Sequence, residues 1–201
     1  MKRIMTSIAV FLLLFGFTVT AGATAISING LDGWIPVHFS AAGVSHYVYA
    51  GEFQLTLDGK DSAGYCIDLF HNTYVPSGPY NTTLTAPDQT WQKQAVWLMD
   101  NCGGTAIQNA AVQLAIWNVE YGITLDSNNN QNVVTAFNTY MALLGSNLYT
   151  GTDYMIAPLA PYAQNLLVYS PPAPVAEPTT LMLLGSGLIG LAGFRFRLKK
   201  R

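Results

Sequence analysis

Basic side chains are nearly missing from the middle of this chain. Of nine Lys and Arg in 201 residues, Lys2 and Arg3 stand at the start, and Arg195, Arg197, Lys199, Lys200 and Arg201 at the end. Between them lie only Lys60 and Lys93, against ten acidic residues, so the whole-chain net charge of −2 conceals a central segment near −8. Such a segment repels polyanions, which excludes nucleic acid as a partner. No basic patch, P-loop or dinucleotide fingerprint offers a phosphate a seat. Cysteine is equally scarce, with Cys66 and Cys102 alone. There is no Cys-x-x-Cys or His-x-x-x-His pair, and His38, His46 and His71 show no ligand spacing. No metal and no cofactor are therefore expected, and each histidine reads as a surface or strand residue. There is also no nucleophile elbow and no helix directly after Cys66, which tells against a Cys–His hydrolase built on Cys66 and His71. The chain is not expected to be a turnover enzyme.

The ends carry addresses. Lys2 and Arg3 precede an apolar run from Ile8 to Val19, and Ala23-Thr24-Ala25 offers a small-x-small cleavage site, with Ala21-Gly22-Ala23 as a second choice. This three-part pattern is that of an export signal over residues 1–25. At the other end, Pro171-Pro172-Ala173-Pro174 begins a stiff spacer over 171–178 that closes on Glu177-Pro178. Residues 179–194 form an uncharged apolar run, slightly short of the ~20 residues that span a bilayer comfortably. A basic end follows, whose long side chains can snorkel to lengthen the span and favour the cytoplasmic side. Gly185, Gly187, Gly190 and Gly193 would let this single transmembrane helix pack closely on a partner helix.

The tail from Val175 to Arg197 resembles the PEP-CTERM sorting signal: a Pro-Glu-Pro box, a glycine-rich transmembrane helix and an arginine-rich end. Glu177, Pro178, Arg195 and Arg197 match it, whereas Ala176 stands where the box has its first proline. The resemblance implies an exosortase in the inner membrane of a Gram-negative, exopolysaccharide-making bacterium as partner. It also implies cleavage near Glu177-Pro178 and delivery to the cell surface or matrix.

Residues 26–170 remain, enough for one domain with a real core. Tyr47, Tyr49, Phe53, Leu55 and Leu57 recur with strand spacing, with a possible turn at Ala50-Gly51. Asp58-Gly59-Lys60-Asp61 signals a turn. Residues 63–70 read as a buried strand, and 76–79, with Pro76 and Pro79, as a loop. Pro87-Asp88 opens a helix reaching about Met99, with Asp88 as its N-cap. Cys102-Gly103-Gly104 breaks it. A second helix is expected over 105–121, capped by Thr105 and stopped by Gly122; it is too apolar for a one-sided surface helix and should be central and buried. A third helix is expected over 131–144, stopped by Gly145, and a last strand over 166–169. The fold class is α+β: antiparallel strands first, a helical layer, then a returning strand.

Two segments of this domain belong together. Tyr65-Cys66-Ile67-Asp68 and Val112-Gln113-Leu114-Ala115-Ile116-Trp117 resemble the paired motifs of bacterial thioester domains, known from adhesins of Gram-positive surfaces. The stretch Gln92 to Asn101 is similar to the middle helix of that family. The resemblance implies an internal thioester between Cys66 and Gln113, able to tether an amine-bearing surface protein or polysaccharide in one covalent event. The scarcity of lysine suits a chain that must not spend such a bond on its own amines. Asp68, two residues after Cys66, would share its strand face and could assist proton transfer. Tyr65 and Trp117 would shield the bond or fill the core. Glu120 reads as a surface residue. The alternative is a non-reactive matrix protein stapled by a Cys66–Cys102 disulfide.

Overall fold

A computed structural model describes residues 23–170. The expected export signal ahead of Ala23, the proline-rich spacer, Glu177, Pro178, the apolar segment with its glycines, and Arg195 and Arg197 lie outside the described residues. Among the described residues, no helix is long and apolar enough to cross a membrane.

Strands β1 (Thr24–Ala41), β2 (Val44–Leu57) and β3 (Lys60–Cys66) form an antiparallel meander joined by two-residue turns. Both central residues of each turn have positive φ: 50° and 78° at Ala42 and Gly43, 48° and 79° at Asp58 and Gly59. This is the type I′ geometry, whose twist matches that of the flanking strands. Asp58 also accepts a 2.8 Å bond from the Ala25 N–H, which fixes the start of β1 to the second turn. β4 (Ser77–Thr82) pairs with β1. Then come α1 (Thr90–Asn101), α2 (Ala106–Tyr121), β5 (Thr124–Leu125), α3 (Gln131–Leu144), β6 (Tyr154–Ala157) and β7 (Leu166–Tyr169). The strand order is β4-β1-β2-β3-β7-β6, with β5 pairing β1 off this path. The sheet curls until its edges meet. Thr85, just past β4, exchanges backbone hydrogen bonds of 2.9 and 2.7 Å with Ile156 of β6.

The α2 helix fills the curl. Its residues Asn109 to Trp117 are all buried, nine in succession, which only a helix packed on every side can achieve. It lies against β1, β2, α1 and α3. The caps are those expected from sequence: the Gln108 N–H donates to the Thr105 hydroxyl at 3.3 Å, and Gly122 takes the left-handed conformation. The mixed α/β character, the central helix, the third helix and the closing strand all follow the sequence reading.

Four local expectations need correction. Ala50-Gly51 is no turn: β2 runs straight through it, with Ala50 opposite Ile35. The 76–79 loop is in part strand, because β4 is an edge strand paired only with β1, where proline's missing N–H costs no ladder bond. The first helix begins at Thr90 rather than Asp88, because the Gln92 side chain reaches back to the N–H groups of Asp88 and Gln89 at 2.9 and 3.1 Å, making Gln89 the cap. The strand expected over 63–70 ends at Cys66. The long β1 is not evident from the sequence because Gly30, Gly33 and Pro36 break its pattern; register shifts between Ile28 and Gly30, and between Asp32 and Ile35, absorb the two glycines, and Pro36 stays in register opposite Tyr49. It also takes in Thr24 and Ala25, two residues ahead of Ile26.

Gly64 sets the path of β3 into the site. A Cβ there would stand 2.6 Å from the Leu167 carbonyl oxygen and 2.8 Å from Leu55 Cδ1. Gly64→Ala should therefore push β3 from β7 and lower stability by about 1–3 kcal/mol, read as a lower denaturant midpoint.

Candidate functional site

Cys66 is the last residue of β3. On one side it faces Leu166 of β7. On the other side β2 has already left: its pairing with β3 stops at Phe53 and Gly64. The Gln113 side chain, from the middle of α2, takes the vacant place. Its Oε1 accepts from the Cys66 N–H at 2.9 Å, and its Nε2 donates to the Cys66 carbonyl at 2.7 Å. Gln113 is 1 % exposed, so both ends of its amide had to find partners, and both did. The two residues singled out in the sequence are thus in direct contact, 47 positions apart in the chain.

The Cys66 sulfur is enclosed. Its thiol donates to the Asp68 carbonyl at 2.9 Å and accepts from the Asp68 N–H at 3.2 Å. Asp68 therefore meets Cys66 through its backbone in a turn, and does not share a strand face with it as the sequence suggested. The Trp117 indole N–H lies near enough to ease the thiol's ionisation without completing a hydrogen bond. Burial outweighs these contacts and pushes the Cys66 pKa up to about 12, so the group is a thiol at neutral pH. Trp117 also packs on Phe39, ring centres 5.2 Å apart. Tyr65 is buried, and desolvation holds its phenol strongly protonated.

Cys66 and Cys102 are both free thiols. The Cys66–Cys102 disulfide is not formed, because the Cys66 sulfur is turned toward Asp68 while Cys102 ends α1, on the side of Tyr65 and Tyr140.

A cleft of about 660 Å³ opens onto the pair. Cys66, Gln113 and Trp117 lie along it with Trp34, Tyr49 and Tyr74, all three exposed at their rings, and with His46 and His71. Asp68 Oδ2 sits 2.6 Å from His71 Nδ1. His71, expected on the surface, thus belongs to the site; its three-residue spacing from Asp68, itself two residues after Cys66, was the signal available in the sequence. Among the described residues, no cluster of three or more His, Cys, Asp and Glu is placed to hold a metal ion.

Comparison with known proteins adds the tail. Residues 174–199 match the model of the PEP-CTERM protein-sorting motif. The tail is a PEP-CTERM signal. The match spans Glu177, Pro178, Arg195 and Arg197, and the substitution of Ala176 in the box does not prevent it. PEP-CTERM signals are processed by exosortase, a membrane enzyme, and imply export through the membrane to the cell surface in Gram-negative bacteria. No curated protein and no solved structure matches the chain.

Glu120 also departs from its expected surface role. It is half-buried, its Oε2 is shielded without a partner, and its pKa is raised to about 7, first by burial and then by the nearby Asp68 charge. The folded state therefore holds this proton more tightly than the unfolded chain, whose ordinary value is 4.5. The stabilisation is complete below about pH 4.5 and is lost as pH rises through about 7. Glu120→Gln should flatten that slope, sparing the protein a loss of about 1 kcal/mol once solvent screening of a half-buried group is allowed for. Urea midpoints of both proteins across this range read the difference.

Proposed function

We propose that this is an exosortase-sorted surface or matrix protein that tethers itself to amines through a thioester between Cys66 and Gln113. The observation that carries the reading is the seating of the Gln113 carboxamide on the Cys66 backbone, beside a buried thiol at a cleft. The Cys66 N–H on Oε1 polarises the carbonyl and would stabilise the oxyanion that forms when sulfur attacks Cδ. The S–Cδ bond forms, the C–N bond breaks, and the thiol proton leaves with the amide nitrogen as ammonia. Fixed geometry converts this unfavourable encounter into an intramolecular step. A primary amine entering the cleft then displaces Cys66 and becomes an amide of Gln113. Each molecule reacts once, so the protein is a tether and not a turnover enzyme. The target is an amine-bearing surface protein or polysaccharide, and the acidic domain around the cleft draws such cations toward it.

One observation favours a second reading. The two Gln113 bonds also do what a strand would do for Cys66, so the side chain could serve only as a structural bridge in a non-reactive matrix protein. Labelling with a fluorescent primary amine, followed by digestion and peptide sequencing by mass, separates the two. The label is expected on Gln113, with Cys66 becoming reactive to thiol reagents. Protein without label at Gln113 would leave the structural bridge.

A further inference from the structure

We infer that Asp68 and His71 form the acid–base pair of amine capture at Gln113, with His71 as the catalytic residue that touches the incoming amine and Asp68 as the positioning residue behind it. The inference rests on the thioester reading and adds the path of the proton.

The loop after β3 is held from several sides. The Ile67 N–H donates to the Asn165 carbonyl at 2.9 Å, and the Tyr121 hydroxyl to the Ile67 carbonyl at 3.2 Å. Gln164 donates from its side chain to the Asp68 carbonyl at 2.9 Å and from its backbone to the Thr73 hydroxyl at 3.0 Å. The Asp68 carboxylate is then fixed by its own bonds: Oδ1 accepts from the Phe70 N–H at 2.8 Å, and Oδ2 faces His71 Nδ1 at 2.6 Å. A carboxylate can only accept, so Nδ1 carries the hydrogen and the Nε2 lone pair is left as a base. The Asp68 side chain is 7 % exposed and that of His71 is 37 % exposed. The orienting group is thus inside and the proton acceptor is on the cleft that Cys66 and Gln113 also line.

The chemistry needs such a group. A nitrogen attacking Cδ gains positive charge and must shed a proton. Among the described residues, no Asp, Glu, Lys or Arg lines the cleft, and His46, the other histidine there, is stacked on Phe39 with ring centres 5.2 Å apart. In the step assigned here the amine lone pair forms the N–Cδ bond, and its surplus proton passes to His71 Nε2. The Cδ–S bond breaks with its electron pair going to sulfur, and His71 returns the proton to Cys66. The products are a neutral histidine, a thiol and an amide.

The test compares the wild-type chain with His71→Gln, whose site lies on a partly exposed loop. Both are checked by mass for the loss of one ammonia, and capture rates are measured on that fraction with methylamine and with hydroxylamine. The methylamine nitrogen is strongly basic, so after attack its surplus proton leaves slowly without an acceptor, and its capture should slow about a hundredfold, the lower range for a lost general base. Hydroxylamine is a far weaker base, so its surplus proton passes readily to water after attack, and its capture should change little. Equal rates in both proteins, or equal slowing with both amines, would overturn the pair while leaving the thioester intact. Absence of the ammonia loss from the wild-type protein would instead refute the thioester itself.

Discussion

Cys66→Ala is expected to abolish the proposed covalent amine capture while leaving export and sorting unchanged. In the proposed reaction the sulfur is the group displaced when the amine arrives, and without it Gln113 is not activated. The sorting machinery reads the tail at 174–199, which the substitution does not touch. Folding should survive, because the change removes one sulfur from a site whose polar partners are the Asp68 backbone groups. Against the chain in which the bond has not formed, the cost should be about 1 kcal/mol, small beside the total stability of a domain. Amine incorporation by the purified domain and surface display in cells are the two readouts. Capture persisting in the variant would sink the thioester reading.

Gln113→Leu has a second large effect, on stability as well as capture. Leucine fills most of the volume but offers nothing to the Cys66 N–H and carbonyl, which Gln113 now satisfies at 2.9 and 2.7 Å. Two buried backbone groups left unpaired cost about 2–4 kcal/mol together. Capture falls to background, since no acyl carbon remains for the sulfur. A chemical denaturation curve checks the stability loss. An unchanged midpoint would mean that water from the cleft restores both bonds.

Cys66→Ala and Gln113→Leu thus part company in stability while agreeing in function. A purely structural glutamine predicts the stability loss at Gln113 and no function at either position. A reactive pair predicts both.

Much of the helical half was legible in the sequence. The α2 helix announces itself by a capping threonine, a closing glycine and an apolar surface on every side, and α3 by its period and Gly145. These signals are local, and local caps decide helix ends. The strand half was harder. β1 is 18 residues long but carries two glycines and a proline inside it; only its pairing with β2, bulges included, makes it a strand. The type I′ turn at Asp58-Gly59 was readable because positive φ demands such residues.

The candidate site was legible in its members and not in its geometry. Cys66, Gln113, Tyr65 and Trp117 are where a strand end meets a central helix. The placement of Asp68 differs from the expectation because strand alternation does not continue past Cys66: the chain turns there. His71 and Glu120 were passed over as surface residues. Their placement depends on how the loop after β3 folds back onto α2, a tertiary fact; the three-residue spacing of His71 from Asp68 is the one local sign of it.

The central claim is tested most directly by the intact mass of the purified mature domain, before and after methylamine. The thioester predicts a mass lower than the sequence by one ammonia, rising by one methylamine on treatment as one thiol is released. A mass equal to that of the sequence and unmoved by methylamine would contradict it, and Gln113 would be a structural bridge.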